Sequence, residues 1–429
     1  MQIYVVQPGD SLYAIANRFG TTVQAISLIN EINPELQLVV GQALVIPVPE
    51  RYIVKKGDTL FTIAKRYGIS VNQLRSANRL APNAILSIGM SLIIPRNQRT
   101  PVQSNAYIEP RQNQPVDEQT ARKASPFLTY LAPFSYQILR NGDLKPLDLD
   151  NAPKAAADGG ATLMLVVTNL ENGQFSAELG EVILENEELQ DKLLNNILQI
   201  AKQYGFSDIH FDLEHLYPKD REPYINFLRK ARDKIHGAGL LLSTALAPKT
   251  SATQKGIWYE AHDYKAHGEI VDFVILMTYE WGYSGGPPMA VSPIGPVRRV
   301  IEYALSEMPA EKIMMGQNLY GYDWTLPYQR GGKFAKVVSP QQAINIARNN
   351  EAAILYDYGA QAPFFTYYDE QKKEHEVWFE DARSIQAKFN LIKEFGLRGI
   401  SYWKLGIDFP QNWVLLEDNF IVVKRSSPM

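Results

Sequence analysis

From about residue 104 to the C-terminus, short apolar runs alternate with longer stretches whose apolar residues recur every three or four positions. The short runs suit buried strands, and the periodic stretches suit helices with one face on a core. Eight runs qualify as strands: Ala106–Glu109, Leu128–Ser135, Leu163–Thr168, Asp208–Glu214, Leu240–Ala245, Phe273–Tyr279, Lys312–Leu319 and Gly399–Trp403. The clearest helix precedes the fourth, where Leu189, Leu193, Ile197, Ala201 and Tyr204 share one face and Gly205 ends it. Alternating strands and helices predict a parallel α/β fold. Eight such units over about 325 residues fit a (β/α)8 TIM barrel. Between the seventh and eighth strands, roughly Asp323 to Trp378, the spacing becomes irregular and Tyr and Phe accumulate, which predicts an α+β insertion. A doubly wound open sheet is the alternative, but no Gly-rich phosphate loop supports it.

The first 96 residues follow a different pattern. A shift of 48 residues, without gaps, superposes Tyr4 on Tyr52, Gly9-Asp10 on Gly57-Asp58, Ile15-Ala16 on Ile63-Ala64 and Gly20 on Gly68. The match continues through Asn30 and Asn78, Pro34 and Pro82, Gly41 and Gly89, and ends at Ile46-Pro47 and Ile94-Pro95. Each copy reads as strand, capped helix, second helix and closing strand, with Ser11 or Thr59 placed to cap the first helix. This βααβ unit resembles the LysM module through YxVxxGDxLxxIAxxxG, the mid-unit Asn and GxxLxIP. The resemblance covers 2–48 and 50–96 and implies binding to N-acetylglucosamine-containing glycans, peptidoglycan or chitin. Residues 97–103 (NQRTPVQ) read as a polar linker to a catalytic region spanning 104–429.

Charge sharpens this division. The chain of 429 residues has a net charge of −3, which argues against a general nucleic-acid binder. Residues 51–96, however, carry eight Lys and Arg against Asp58 alone, whereas residues 1–50 carry Arg18 against four acids. A basic second copy suits an anionic surface such as a bacterial wall. Cysteine is absent, which excludes disulfide and thiolate chemistry. The N-terminus MQIYVVQPGDSL has no basic segment followed by an apolar one, so no Sec signal peptide is expected. No apolar stretch has the length of a membrane span, so no membrane partner is expected. Neither a metal-ligand spacing nor a nucleotide motif is present, so no cofactor or metal is expected.

Catalytic groups in barrels sit at the C-terminal ends of strands. The fourth strand reads SDIHFDLEHLYP, and alternation puts His210, Asp212 and Glu214 on one inward face. Three ionisable groups inside a barrel are costly unless they are used. Here the chain resembles glycoside hydrolase family 18, whose fourth strand reads DxxDxDxE. Glu214 and Asp212 match, whereas His210 and Ser207 stand where the family has Asp. The sixth strand ends MTYE (Met277–Glu280), near the family's MxYD; the seventh reads GQNLYGYDW, near GxPxYG; the eighth carries Trp403.

The resemblance implies roles. Glu214 is the general acid, Asp212 orients the substrate's 2-acetamido group, and Tyr279 hydrogen-bonds it. Trp403 stacks on the sugar, with His210, Glu280, Asn318 and Tyr320 among the substrate-binding residues. Paired N-terminal LysM modules on such a barrel resemble the spore cortex-lytic members of the family, N-acetylglucosaminidases acting on cortex peptidoglycan. That implies a spore coat or cortex location, a glycan as sole partner and a monomer. The rival readings are a chitinase, or a non-catalytic glycan-binding coat protein on the same scaffold. His210 is expected to hydrogen-bond Asp212, directly or through one water; the alternative is a core histidine bonded to a neighbouring strand.

Overall fold

The computed structural model describes residues 1–67, 69–81, 84–95, 99–110 and 114–425. Eight parallel strands close into a barrel: β1 (Thr100–Ile108), β2 (Tyr130–Pro133), β3 (Thr162–Thr168), β4 (Phe206–Asp212), β5 (Leu241–Leu246), β6 (Phe273–Leu276), β7 (Ile313–Asn318) and β8 (Gly399–Trp403). β8 pairs with β1, and β3 pairs with β4, so the ring has no open edge among these strands. All eight predicted strands are present. The helix on Leu189–Tyr204 also forms, spanning Glu187–Tyr204, with Gly205 at φ 72° as its left-handed cap.

Alternation sorts the strand residues into two layers. Tyr107, Tyr130, Phe134, Met164, Val166, Phe273, Ile275 and Met314 pack together inside the ring. Ile209, Phe211, Leu242, Val274 and Ile400 face outward, where helix residues such as Leu193, Leu228 and Ile385 cover them. β1 begins earlier than the sequence pattern indicated. Thr100–Val102 pairs in parallel with Phe420–Val422 near the C-terminus, so the supposed linker is already strand from Thr100 onward. A polar, proline-containing stretch is tolerated there because it runs beyond the closed ring. Asn97 and Gln98 of that linker, and Gly68 and Pro82 of the repeat, lie outside the described residues.

Between β7 and β8 a five-stranded antiparallel sheet is built from Gly321–Thr325, Lys336–Val338, Leu355–Asp357, Ala362–Tyr368 and Glu374–Trp378. Helix Pro340–Asn349 packs on it around Phe365, Val377 and Ile344.

The N-terminal modules form as small βααβ units. In the first, strands Gln2–Val5 and Ala43–Ile46 pair beside helices Leu12–Phe19 and Val23–Asn30, capped by Ser11 and Thr22. The second has strands Arg51–Ile53 and Ser91–Ile93 with helices Leu60–Arg66 and Val71–Ala77. The mid-unit Asn has a structural cause. Asn30 donates to the carbonyls of Ile26 and Val45 and accepts from the Val45 amide, each at 2.8 Å, tying the second helix to the closing strand. Asn78 repeats the tie with Leu74 and Ile93.

The first module is fused to the catalytic region by packing. Ala43 and Val45 belong to the barrel's outer core, and Val39 belongs to the core of the insertion. Gln411 donates to Asn30 Oδ1 at 2.7 Å and to the Ala43 carbonyl at 2.9 Å.

Candidate active-site cleft

At the C-terminal end of the barrel lies a cleft of about 470 Å³ whose lining includes Asp212, Glu214, Tyr279, Glu280, Tyr320 and Trp403. β4 delivers the two carboxylates. Asp208, His210 and Asp212 alternate inward along the strand, and Glu214 follows two residues past its end. Asn169, just after β3, fixes Glu214 in place. Its side-chain oxygen accepts from the Glu214 amide at 3.0 Å and its amide donates to the Glu214 carbonyl at 2.8 Å. His262 adds a second anchor, bonding the Leu213 carbonyl at 2.9 Å and accepting from the Ala247 amide at 2.9 Å.

Glu214 is 8% exposed, and its Oε2 accepts from Trp258 Nε1 at 2.6 Å. Burial pushes its ionisation well above the usual carboxylate range. The Asp212 charge pushes the same way, and the Trp258 N–H pulls part of the shift back. Asp212 is itself pushed up to about 7 by burial. Its Oδ1 is buried with no hydrogen-bond partner among the described residues. Two buried acids side by side each resist ionising once the other is charged, because ionising both would place like charges together.

The remaining predicted residues divide into those that reach the cleft and those that support it. Tyr279, Glu280, Tyr320 and Trp403 line it. Glu280 accepts hydrogen bonds from the hydroxyls of Tyr320 and Tyr322, the latter at 3.0 Å. Trp403 is wedged edge-on against Phe134 and Tyr107, with centroids at 4.8 and 5.5 Å. Asn318 does not line the cleft, contrary to expectation. It is buried at the end of β7, where its amide donates to the Tyr320 carbonyl at 2.7 Å and shapes the turn presenting that tyrosine.

His210 also lies beneath the cleft rather than in it, and its bonds run across strands. Its Nε2 meets the Tyr107 hydroxyl at 2.9 Å and its Nδ1 meets Ser243 Oγ at 2.8 Å. Ser243 in turn donates to Asp208 Oδ1 at 2.7 Å. Ser243 spends its proton on Asp208, so it accepts from Nδ1–H, and Nε2 is left to accept from Tyr107. Burial lowers the His210 pKa to about 3, which keeps the ring neutral. The expected direct bond to Asp212 is therefore replaced by a buried chain Tyr107–His210–Ser243–Asp208. No group of three or more His, Cys, Asp or Glu is arranged to hold a metal ion among the described residues.

Four residues that the sequence reading passed over belong to this construction: Asn169, Trp258, Tyr107 and Asp208. Asp208 was within reach, since it precedes His210 by two on the same inward face. Asn169 sits at a strand's C-terminal end, where barrel sites are built. Trp258 comes from a loop and left no periodic signal.

Comparison with known proteins now places the molecule. The family model for glycosyl hydrolases family 18 matches residues 152–408, and that for the LysM domain matches 4–47 and 52–95. The chain belongs to glycosyl hydrolases family 18. It is 67% identical over 430 residues to the cortical fragment-lytic enzyme of Bacillus subtilis (strain 168), covering 99% of this chain and all of that one. The corresponding enzyme of Bacillus anthracis is 54% identical over the same length. The crystal structure of the Bacillus megaterium spore cortex-lytic enzyme SleL superposes with a TM-score of 0.90 at 52% identity, covering 99% of each chain. A chitinase from Chromobacterium violaceum, at 22% identity and a TM-score of 0.67, shares the barrel fold.

Proposed function

We propose that this family 18 hydrolase cleaves the β-linkage of N-acetylglucosamine in peptidoglycan fragments of the spore cortex, by a retaining mechanism in which the substrate supplies the nucleophile. The observation that carries the reading is Glu214: a buried carboxyl whose ionisation burial and the Asp212 charge push upward, oriented by Trp258 and facing an open cleft. The full-length likeness to cortical fragment-lytic enzymes supports the substrate and a spore location.

Family 18 departs from the usual pair of carboxylates acting as acid and nucleophile. Glu214 gives its proton to the glycosidic oxygen as the C1–O bond breaks. The 2-acetamido carbonyl oxygen attacks C1 and forms an oxazolinium ion. Asp212 accepts the acetamido N–H, turning the acetamido carbonyl oxygen toward C1 and balancing the positive charge. Tyr279 donates to the acetamido oxygen, and Trp403 stacks on the apolar sugar face. Water then attacks C1, its proton returns to Glu214, and the two inversions leave the β-anomer. Every group named comes from one chain, so a monomer suffices.

The test is Glu214→Gln on soluble cortex fragments, with products read by mass spectrometry and the first anomer by proton NMR. Losing a general acid lowers turnover by roughly 10²–10⁴-fold while substrate binding persists. A variant that turns over like wild type, or an α-anomer as first product, refutes the assignment.

A further inference from the structure

The two LysM copies share a sequence plan but not a setting. In the first copy the segment Gln37–Gly41 is clamped to the catalytic region. Arg348 donates to the Gln37 carbonyl at 2.8 Å, the Ile354 amide to the Val40 carbonyl at 2.8 Å, and Arg383 to the Gly41 carbonyl at 3.1 Å. Val39 is buried in the insertion's core. Shifted by 48 residues, the same segment of the second copy is Ile85–Gly89. There Ile85 is 92% and Ile88 70% exposed, and no atom of the described residues approaches a Cβ built on Gly89.

Charge separates the copies further. Residues 51–96 carry eight basic residues against one acid, with Lys55 and Lys56 exposed; residues 1–50 carry four acids against Arg18. Aliphatic side chains beside lysines suit a polymer that shows both the apolar faces of sugar rings and carboxylates, which is what a peptidoglycan strand offers. An apolar, uncharged surface would suit chitin equally, but the excess of cations favours the anionic polymer.

We propose that the modules have divided their work. The first is a structural part of the catalytic unit, and the second alone, through the Ile85–Gly89 loop and its basic surface, holds the enzyme on insoluble peptidoglycan. This rests on the glycan-binding reading of the repeats, and the experiment separates the two. Retention of the full-length chain on insoluble peptidoglycan is measured for wild type, for Ile85→Glu with Ile88→Glu, for Lys55→Glu with Lys56→Glu, and for Tyr13→Glu with Leu28→Glu. The last pair substitutes exposed apolar residues of the first copy. Unfolding followed by tryptophan fluorescence confirms that each variant keeps an intact barrel. The isoleucine pair should weaken retention by about tenfold or more, a loss of at least about 1.4 kcal/mol. The lysine pair should weaken it and flatten its salt dependence, and the first-copy pair should match wild type. Equal losses in both copies, or no loss in the second, overturn the division of work. Wild type that is not retained at all overturns the glycan reading beneath it. Retention on duplex DNA in place of peptidoglycan would assign the basic surface to another partner and overturn the proposal as well.

Discussion

Gly41 and Gly89 are a matched pair supplied by the repeat, and replacing each by Ala measures how firmly the first module is built into the catalytic region. Both adopt left-handed backbone, at φ 84° and 86°, so an added Cβ strains each by about 1 kcal/mol. At Gly89 nothing else happens, because no atom of the described residues lies within 4 Å of the new Cβ. At Gly41 the Cβ overlaps the backbone carbonyl of Ile354, which cannot swing aside as a side chain would. The segment must lift from the insertion. That breaks the Ile354–Val40 and Arg383–Gly41 hydrogen bonds, about 1–2 kcal/mol each with one donor charged. It also draws Val39 out of its core, about 2 kcal/mol more. Gly41→Ala should therefore cost about 4–6 kcal/mol beyond the strain common to both. The assay is urea unfolding followed by tryptophan fluorescence. All six tryptophans lie C-terminal to the modules, from Trp258 to Trp413, so the signal reports the barrel and its insertion. Gly41→Ala should lower the midpoint of that transition by roughly 1 M urea, and Gly89→Ala should leave it in place. Equal shifts, or an unmoved midpoint for Gly41→Ala, would refute the claim that the first module is part of the catalytic unit.

Trp258→Phe removes the N–H that stabilises ionised Glu214, so the Glu214 pKa rises further and the basic limb of the kcat profile moves to higher pH; an unmoved limb would deny Trp258 this influence. His210→Gln keeps a donor and an acceptor for Ser243 and Tyr107, whereas His210→Leu removes one buried hydrogen bond from each. Leu should lose about 2–4 kcal/mol of stability by urea unfolding, with Gln intermediate; equal losses would reduce His210 to a volume-filling role.

The barrel was legible because its signals are local and repeated. Eight apolar runs alternating with helical stretches specify eight buried strands, whatever the loops between them do. The first module's fusion to the barrel was not legible. Val39, Ala43 and Val45 read as the core of a small independent domain, and nothing in their spacing shows that the surface they meet lies some 300 residues further along the chain. Trp258 is hidden for a related reason: a loop residue reaches its partner through tertiary geometry, which has no period.

His210 shows where strand logic itself needs a second dimension. Alternation on β4 placed it on the face of Asp212, and the structure agrees. The expected contact between them lost to the alternative, a core histidine bonded to neighbouring strands. Residues i and i+2 along one strand are roughly 6–7 Å apart at their origins, while the adjacent strand in a sheet lies only about 4.8 Å away. Across a tightly curved barrel the interior also brings opposite strands within reach of a long side chain. A buried imidazole with two hydrogen-bonding nitrogens to satisfy therefore finds partners across the sheet before it finds them along its own strand. Ser243 on the adjacent β5 and Tyr107 on β1 are those partners. The replacement of an acid by His210 then has a physical consequence. The ring stays neutral and spends both nitrogens elsewhere, so it gives Asp212 neither a proton to share nor a charge. Asp212 lines the cleft without a hydrogen bond from His210, and in the proposed mechanism its donor is the acetamido N–H of the substrate.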